Sequence, residues 1–195
     1  MKLSPNILLN AYSQGIFPMA DDDGTIYWYD PNPRAILPLE NFHTPRRLAR
    51  QVRQGIFDLR VNTAFRAVME ACAEPAPDRE NTWISPEIVD IYCELHSLGF
   101  AHSVEAWQEG DLVGGLYGVT LAGLFAGESM FSRATDSSKI ALVYLVDRLR
   151  QRGFTLLDVQ FTTDHLKRFG VIEIPRQAYK ARLDKALRQA WARFE

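Results

Sequence analysis

Two runs of strand-forming residues, "SVEAWQ" (103–108) and "DLVGGLYGV" (111–119), are separated only by Glu109-Gly110. A two-residue link containing glycine between such runs is a hairpin signal, and it ties both into one antiparallel ladder. A third run, "GLFAGESMF" (123–131), follows after a short turn. Then the period changes. From Asp136 or Ser137 to Gly153, the residues Ile140, Val143, Tyr144 and Leu145 form an apolar helical face, and "FTLLDVQ" (154–160) returns to strand character. A last helix starts near Pro175 and carries Tyr179, Leu183 and Leu187 inward. Three strands, a crossover helix, a strand and a helix predict an α+β fold built on a mixed sheet.

Upstream, helix punctuation repeats three times. Ser4-Pro5 opens a segment closed by Gly15, Thr44-Pro45 one closed by Gly55, and Ser85-Pro86 one closed by Gly99. Each offers a hydroxyl cap, a proline in the first turn and a glycine stop. Residues 1–65 otherwise show turn-rich sequence and little alternation, which predicts a small N-terminal domain packed on a main domain of residues 66–195. A boundary within "EPAPDREN" (74–81) is equally consistent with the pattern. At 195 residues the chain is long enough to bury a core of its own.

Composition narrows the classes. With 47% hydrophobic and 24% charged residues and no low-complexity tract, the chain reads as an ordinary soluble protein. Pro5, Asn6 and Asn10 break the first apolar run, so neither a signal peptide nor a membrane segment is expected. The two cysteines, Cys72 and Cys93, lack neighbouring ligands, which predicts structural thiols in a reducing cytoplasm and no metal. Net charge is −2, yet Arg46, Arg47, Arg50, Arg53, Arg60 and Arg66 cluster against Asp58 alone. Such a patch can meet phosphates, and it can equally be a solvated helix face.

Three polar residues stand where apolar ones would pack better. Alternation puts Asp158 and Gln160 on one face at the carboxyl end of the last strand, where open α/β sheets keep their sites. Glu128 lies in a mostly apolar strand, and burying it costs several kcal/mol unless it is paired or meets a cation. Trp28 in "YWYDPNPR" and Trp83 are candidates for stacking on a base, or for core.

The segments "AYSQGIFPM", "YWYDPNPR", "GGLYGV", "LFAGESMFS", "SSKIAL", "LLDVQ" and "EIPRQAY" occur in this order over nearly the whole chain. Together they closely resemble the leucyl/phenylalanyl-tRNA protein transferase family of the bacterial N-degron pathway. The resemblance implies an acetyltransferase-like sandwich. It also implies transfer of leucine or phenylalanine, possibly methionine, from aminoacyl-tRNA to proteins beginning with Arg or Lys, marking them for degradation. It further implies that Leu116, Phe125 and Met130 line a pocket for the apolar side chain. Arg46, Arg47 and Arg50 are expected to neutralise acceptor-stem phosphates.

The chemistry suits these residues. An aminoacyl ester is already activated, so its aminolysis needs no ATP, metal or other cofactor. The attacking α-amine must lose a proton, and an oxyanion develops. Asp158 is expected to take or relay that proton, Gln160 to orient amine or carbonyl, and Glu128 to supply negative potential. Two alternatives are a CoA-dependent N-acetyltransferase and a non-catalytic RNA-binding module. The first lacks its glycine-rich pyrophosphate turn in "FSRATDSSK". The second leaves the polar strand end unexplained.

Overall fold

The computed structural model describes residues 3–21, 23–75 and 82–195. Its elements, in chain order, are α1 (Pro5–Ser13), β1 (Phe17–Ala20), β2 (Ile26–Tyr29), β3 (Arg34–Ile36), α2 (Arg46–Gln54), β4 (Asp58–Val61), α3 (Phe65–Ala73) and α4 (Pro86–Ser97). There follow β5 (Ala101–Gln108), β6 (Asp111–Leu121), β7 (Leu124–Ser132), α5 (Ser137–Gln151), β8 (Leu156–Gln160), α6 (Asp164–Lys167), β9 (Ile172–Ile174) and α7 (Arg176–Leu187). The expected α+β class is observed.

Caps explain why the first helices start where they do. The hydroxyls of Ser4 and Ser85 accept from the amides of Ile7 and Ile88, while a proline occupies the first turn. The helix expected from Thr44-Pro45 also forms, but Pro45 is its cap residue and no side chain closes it. Glu109 and Gly110 both have positive φ, as the tight hairpin between β5 and β6 requires.

The main sheet has seven strands in the order β4-β5-β6-β7-β8-β3-β9. All neighbours are antiparallel except β7 and β8, which α5 connects as a crossover. Two of the strands, β3 and β4, come from residues 1–65, so the N-terminal segment contributes to the shared sheet. The alternative boundary within 74–81 falls largely outside the described residues.

Helix α5 covers one face of the sheet against β5, β6 and β7, with Ile140, Leu145 and Leu149 buried. Helices α3 and α4 cover the other face, where Val68, Met69 and Leu95 are buried with Leu8 and Tyr12 of α1. A smaller cluster, with Tyr179 and Leu183, seats α7 against Leu124 and Leu156. These layers fix the parallel β7–β8 seam, and the candidate site lies at its end. No helix among the described residues is long and apolar enough to cross a membrane.

Candidate active site

Parallel pairing of β7 with β8 ends at Ala126 opposite Asp158. Beyond this point both strands are irregular. In β7, Tyr117 pairs with Ser129 and Gly118 with Gly127, so Glu128 is left over as a bulge. Gly118 is required there, because a Cβ would lie 2.3 Å from the carbonyl oxygen of Ala126 and 2.4 Å from the Phe125 ring. In β8, Gln160 adopts φ 59°, a left-handed conformation rare for a residue with a side chain. The amide of Phe161 donates to the carbonyl of Val159 at 2.6 Å, closing a three-residue turn around Gln160.

This turn changes the expected alternation. Leu157 and Val159 face a cavity of about 720 Å³, whereas Asp158 points to the opposite side toward α7. Simple alternation would put Gln160 with Asp158. The left-handed turn instead brings it to the cavity wall beside Glu128, where its Nε2 lies 3.4 Å from Glu128 Oε1.

Asp158 is 1% exposed, and both of its oxygens are occupied. Arg34 Nε donates to Oδ1 at 2.9 Å and Arg34 Nη2 to Oδ2 at 2.6 Å, a bidentate pair. The Tyr179 hydroxyl donates to Oδ2 at 2.9 Å, and the Gln160 amide to Oδ1 at 3.0 Å. Arg34 is itself buried between the rings of Phe17 and Tyr179, 4.8 and 4.4 Å from their centroids, and also donates to the Gly15 carbonyl at 2.8 Å. Asp158 therefore fixes the turn that aims Gln160, and it has no side open to the cavity.

Glu128 accepts from the Tyr12 hydroxyl at 2.7 Å, and the Tyr92 hydroxyl lies 2.5 Å from that of Tyr12. With Tyr12 donating to the carboxylate, Tyr92 donates to Tyr12, so α4, α1 and β7 are linked by one chain of hydrogen bonds. Burial pushes the Glu128 carboxyl up to about 8, with nearby Asp158 adding to the rise and the Tyr12 bond and Arg34 opposing it. Burial first, and then the charge of Glu128, raise both tyrosines well above their ordinary value.

Leu116, Met130 and Trp83 line the same cavity, as do Leu142 and Leu145 from α5. Phe125 does not. It lies in the core against Phe194, with ring centroids 5.5 Å apart. Trp28 belongs to a separate cleft of about 420 Å³ with Leu3, Ile7 and Glu87. Arg46, Arg47 and Arg50 are exposed on α2, and Arg47 pairs with Asp136 at the start of α5, whose Ser138 reaches the cavity.

Sequence reasoning gave no site role to Arg34, Tyr12, Tyr92 or Tyr179. A carboxylate assigned to a buried strand demands donors, and that demand was the available signal. Which arginine and which tyrosines answer it depends on tertiary contacts, Arg34 reaching Asp158 at a separation of 124 and Tyr12 reaching Glu128 at 116.

The arrangement offers an open, largely apolar cavity with a carboxyl and an amide presented together at one wall. That is suited to holding an apolar acyl group while a proton is moved beside it. Comparison with known proteins identifies the lineage. The family model described as leucyl/phenylalanyl-tRNA protein transferase matches residues 36–184, and that of the same family's N-terminal domain matches residues 1–32. A leucyl/phenylalanyl-tRNA--protein transferase of Herpetosiphon aurantiacus is 61% identical over 187 residues, covering 95% of each chain. One of Paramagnetospirillum magneticum is 56% identical over 192 residues, covering 97% of this chain and 92% of the relative. Among solved structures, the C-terminal domain of a putative lysylphosphatidylglycerol synthetase from Agrobacterium fabrum overlays with a TM-score of 0.43 at 13% identity. That overlay covers 94% of this chain and 63% of the other. The matched models span almost the whole sequence and the two relatives align over more than nine-tenths of their own length: this chain belongs to the leucyl/phenylalanyl-tRNA protein transferase family of enzymes.

Proposed function

We propose that the protein transfers leucine or phenylalanine from aminoacyl-tRNA to the α-amine of proteins beginning with Arg or Lys, marking them for degradation in the cytoplasm. The observation that carries the site assignment is the meeting of Glu128 and Gln160 at the wall of the apolar cavity. Leu116 and Met130, with Leu142 and Leu145, surround the leucyl or phenylalanyl side chain; methionine's flexible thioether suits a pocket that accepts two shapes. Phe125 backs this wall from the core. Trp83 stacks on the terminal adenine, Trp28 contributes an outer aromatic contact, and Arg46, Arg47 and Arg50 neutralise tRNA phosphates.

In the reaction, the amine nitrogen attacks the ester carbonyl carbon. A C–N bond forms and the C–O bond to the 3′-terminal ribose breaks. An α-ammonium has a reference pKa of about 7.7–8.0, close to the value of about 8 for Glu128. Glu128 is thus matched to take the amine's proton and return it to the departing ribose oxygen. Gln160 orients the amine. Asp158 acts through Gln160 and not on the substrate, since its four hydrogen bonds leave it no free position. No step requires ATP or CoA, and the turn "FSRATDSSK" lacks the glycines of a phosphate-binding loop.

The test is transfer of radiolabelled leucine from leucyl-tRNA to an Arg-initiated protein without ATP or CoA, for the native chain and for Glu128→Gln and Asp158→Asn. Native transfer, with both variants still binding leucyl-tRNA yet slowed at least about 100-fold for Glu128→Gln, is the expected result. Binding of tRNA without transfer by the native chain refutes the reading.

A further inference from the structure

The turn that brings Gln160 to the cavity also places Phe161 at its mouth. Phe161 lines the cavity with Glu128 and Gln160, yet it is 46% exposed. It is not a loose side chain. Its ring meets that of Phe17 edge-on at 5.9 Å and 83°, and Phe17 stacks on Tyr29 at 5.9 Å and 20°. Its backbone amide is held by Val159. An aromatic ring held against its neighbour with nearly half of its surface exposed is a preorganised platform.

Charge chooses between the occupants that such a face accepts. Among the described residues, two glutamates line the cavity: Glu74 is bound by Arg133 at 2.8 Å, whereas Glu128 takes hydroxyl and amide donors. Glu128 and Phe161 flank Gln160 on the same wall. The arginines of α2 meet the structure elsewhere, at the start of α5, through Arg47 and Asp136. A nearby cation favours the ionised form of the Glu128 carboxyl, so carboxyl and π-face on one wall together recognise a cation and disfavour a phosphate.

We infer that the open face of Phe161 holds the cationic side chain of the acceptor protein's first residue, making Phe161 a specificity-determining residue. The inference rests on the aminoacyl-transfer reading. With the α-amine between Glu128 and Gln160, the first side chain of the acceptor reaches the rim, and a guanidinium or ammonium lies over the ring. The ring acts on binding and not on bond-making, so its effect falls on the acceptor's KM and leaves kcat alone.

The experiment compares Phe161→Leu, which keeps apolar bulk without a π-face, with Phe161→Tyr, which restores the ring. Acceptor peptides begin with Arg, Lys or the uncharged arginine analogue citrulline, and the KM for leucyl-tRNA is recorded in parallel. A rise of about five-fold in the Arg- and Lys-peptide KM is expected for Phe161→Leu. The kcat, the citrulline peptide and leucyl-tRNA remain within two-fold, and Phe161→Tyr recovers the native values. An unmoved acceptor KM overturns the assignment. A rise in the leucyl-tRNA KM alone overturns it in favour of a nucleobase platform, and equal loss of kcat in both variants overturns it in favour of a structural ring. Absence of transfer by the native chain overturns the inference together with the reading beneath it, whereas native transfer with an unmoved KM overturns Phe161 alone.

Discussion

Replacing Arg34 by methionine tests the central claim that Asp158 is an anchor. The guanidinium makes two charge-assisted bonds to Asp158 and one to the Gly15 carbonyl, and it is 1% exposed. Methionine keeps an apolar stem between Phe17 and Tyr179 but leaves the carboxylate with only the Tyr179 hydroxyl and Gln160 amide. Removing one partner of a buried pair costs about 3–5 kcal/mol. The retained stem packing favours the lower part, about 3–4 kcal/mol. For a chain of this length that is a fall in Tm of about 6–16 °C. Urea unfolding at pH 7, with the slope unchanged, measures it. Asp158→Asn should cost about 3 kcal/mol alone, and the double variant far less than the sum, with a coupling of at least about 2 kcal/mol. A loss under about 1 kcal/mol for Arg34→Met, or additive losses in the cycle, would falsify the anchor.

Other consequences follow from the same geometry. For Glu128 the sign is that of an acid whose folded value, about 8, exceeds its ordinary 4.5, so the native state resists ionisation. Glu128→Gln should therefore be more stable than native, by a margin that opens above pH 4.5 and levels off beyond about pH 8 in thermal scans. His102 is held down to about 4, mainly by burial, from an ordinary 6.5. Its contribution is complete above pH 6.5 and is lost as pH falls toward 4. This loss is about 3 kcal/mol, and His102→Asn should flatten the urea-midpoint profile over that window. Gln160→Gly relieves a left-handed residue, so unfolding should show unchanged or slightly raised stability, by up to about 1 kcal/mol, while leucine transfer is lost. Replacing Arg46, Arg47 and Arg50 together by alanine should weaken leucyl-tRNA binding and reduce the slope of log K against log salt by about 2–3.

Local chemistry made much of the fold legible. Serine caps, prolines in the first turn and glycine stops marked α1 and α4, and the Glu109-Gly110 link marked the β5–β6 hairpin. Strands β3, β4 and β9 have only three or four residues each and find their partners across long stretches of chain, so no local period announces them. Helix α3 was hidden by a mixed sequence whose burial comes from β5, β6 and β7. At the site, Glu128, Asp158 and Gln160 stood out as polar residues in apolar strands. What alternation concealed was direction. It grouped Asp158 with Gln160, and a single backbone angle separates them onto opposite sides of the strand. Phe125, Trp28 and Trp83 were alike in composition terms, and only tertiary packing sorts them into core, outer cleft and cavity.

The register of the β7–β8 seam has a further consequence, for insertions and deletions. Ala126 and Asp158 are level, and Glu128 and Gln160 each lie two residues further along. Their meeting is thus a matter of counting. One residue added or removed between 126 and 128, or between 158 and 160, shifts one group by about 3.3 Å relative to the other and reverses the side it faces. The segment from Arg133 to Asp136 does not enter that count. Loop grafts there should leave the pair intact, and the four positions ending at Glu128 and Gln160 form a ruler whose length cannot be edited.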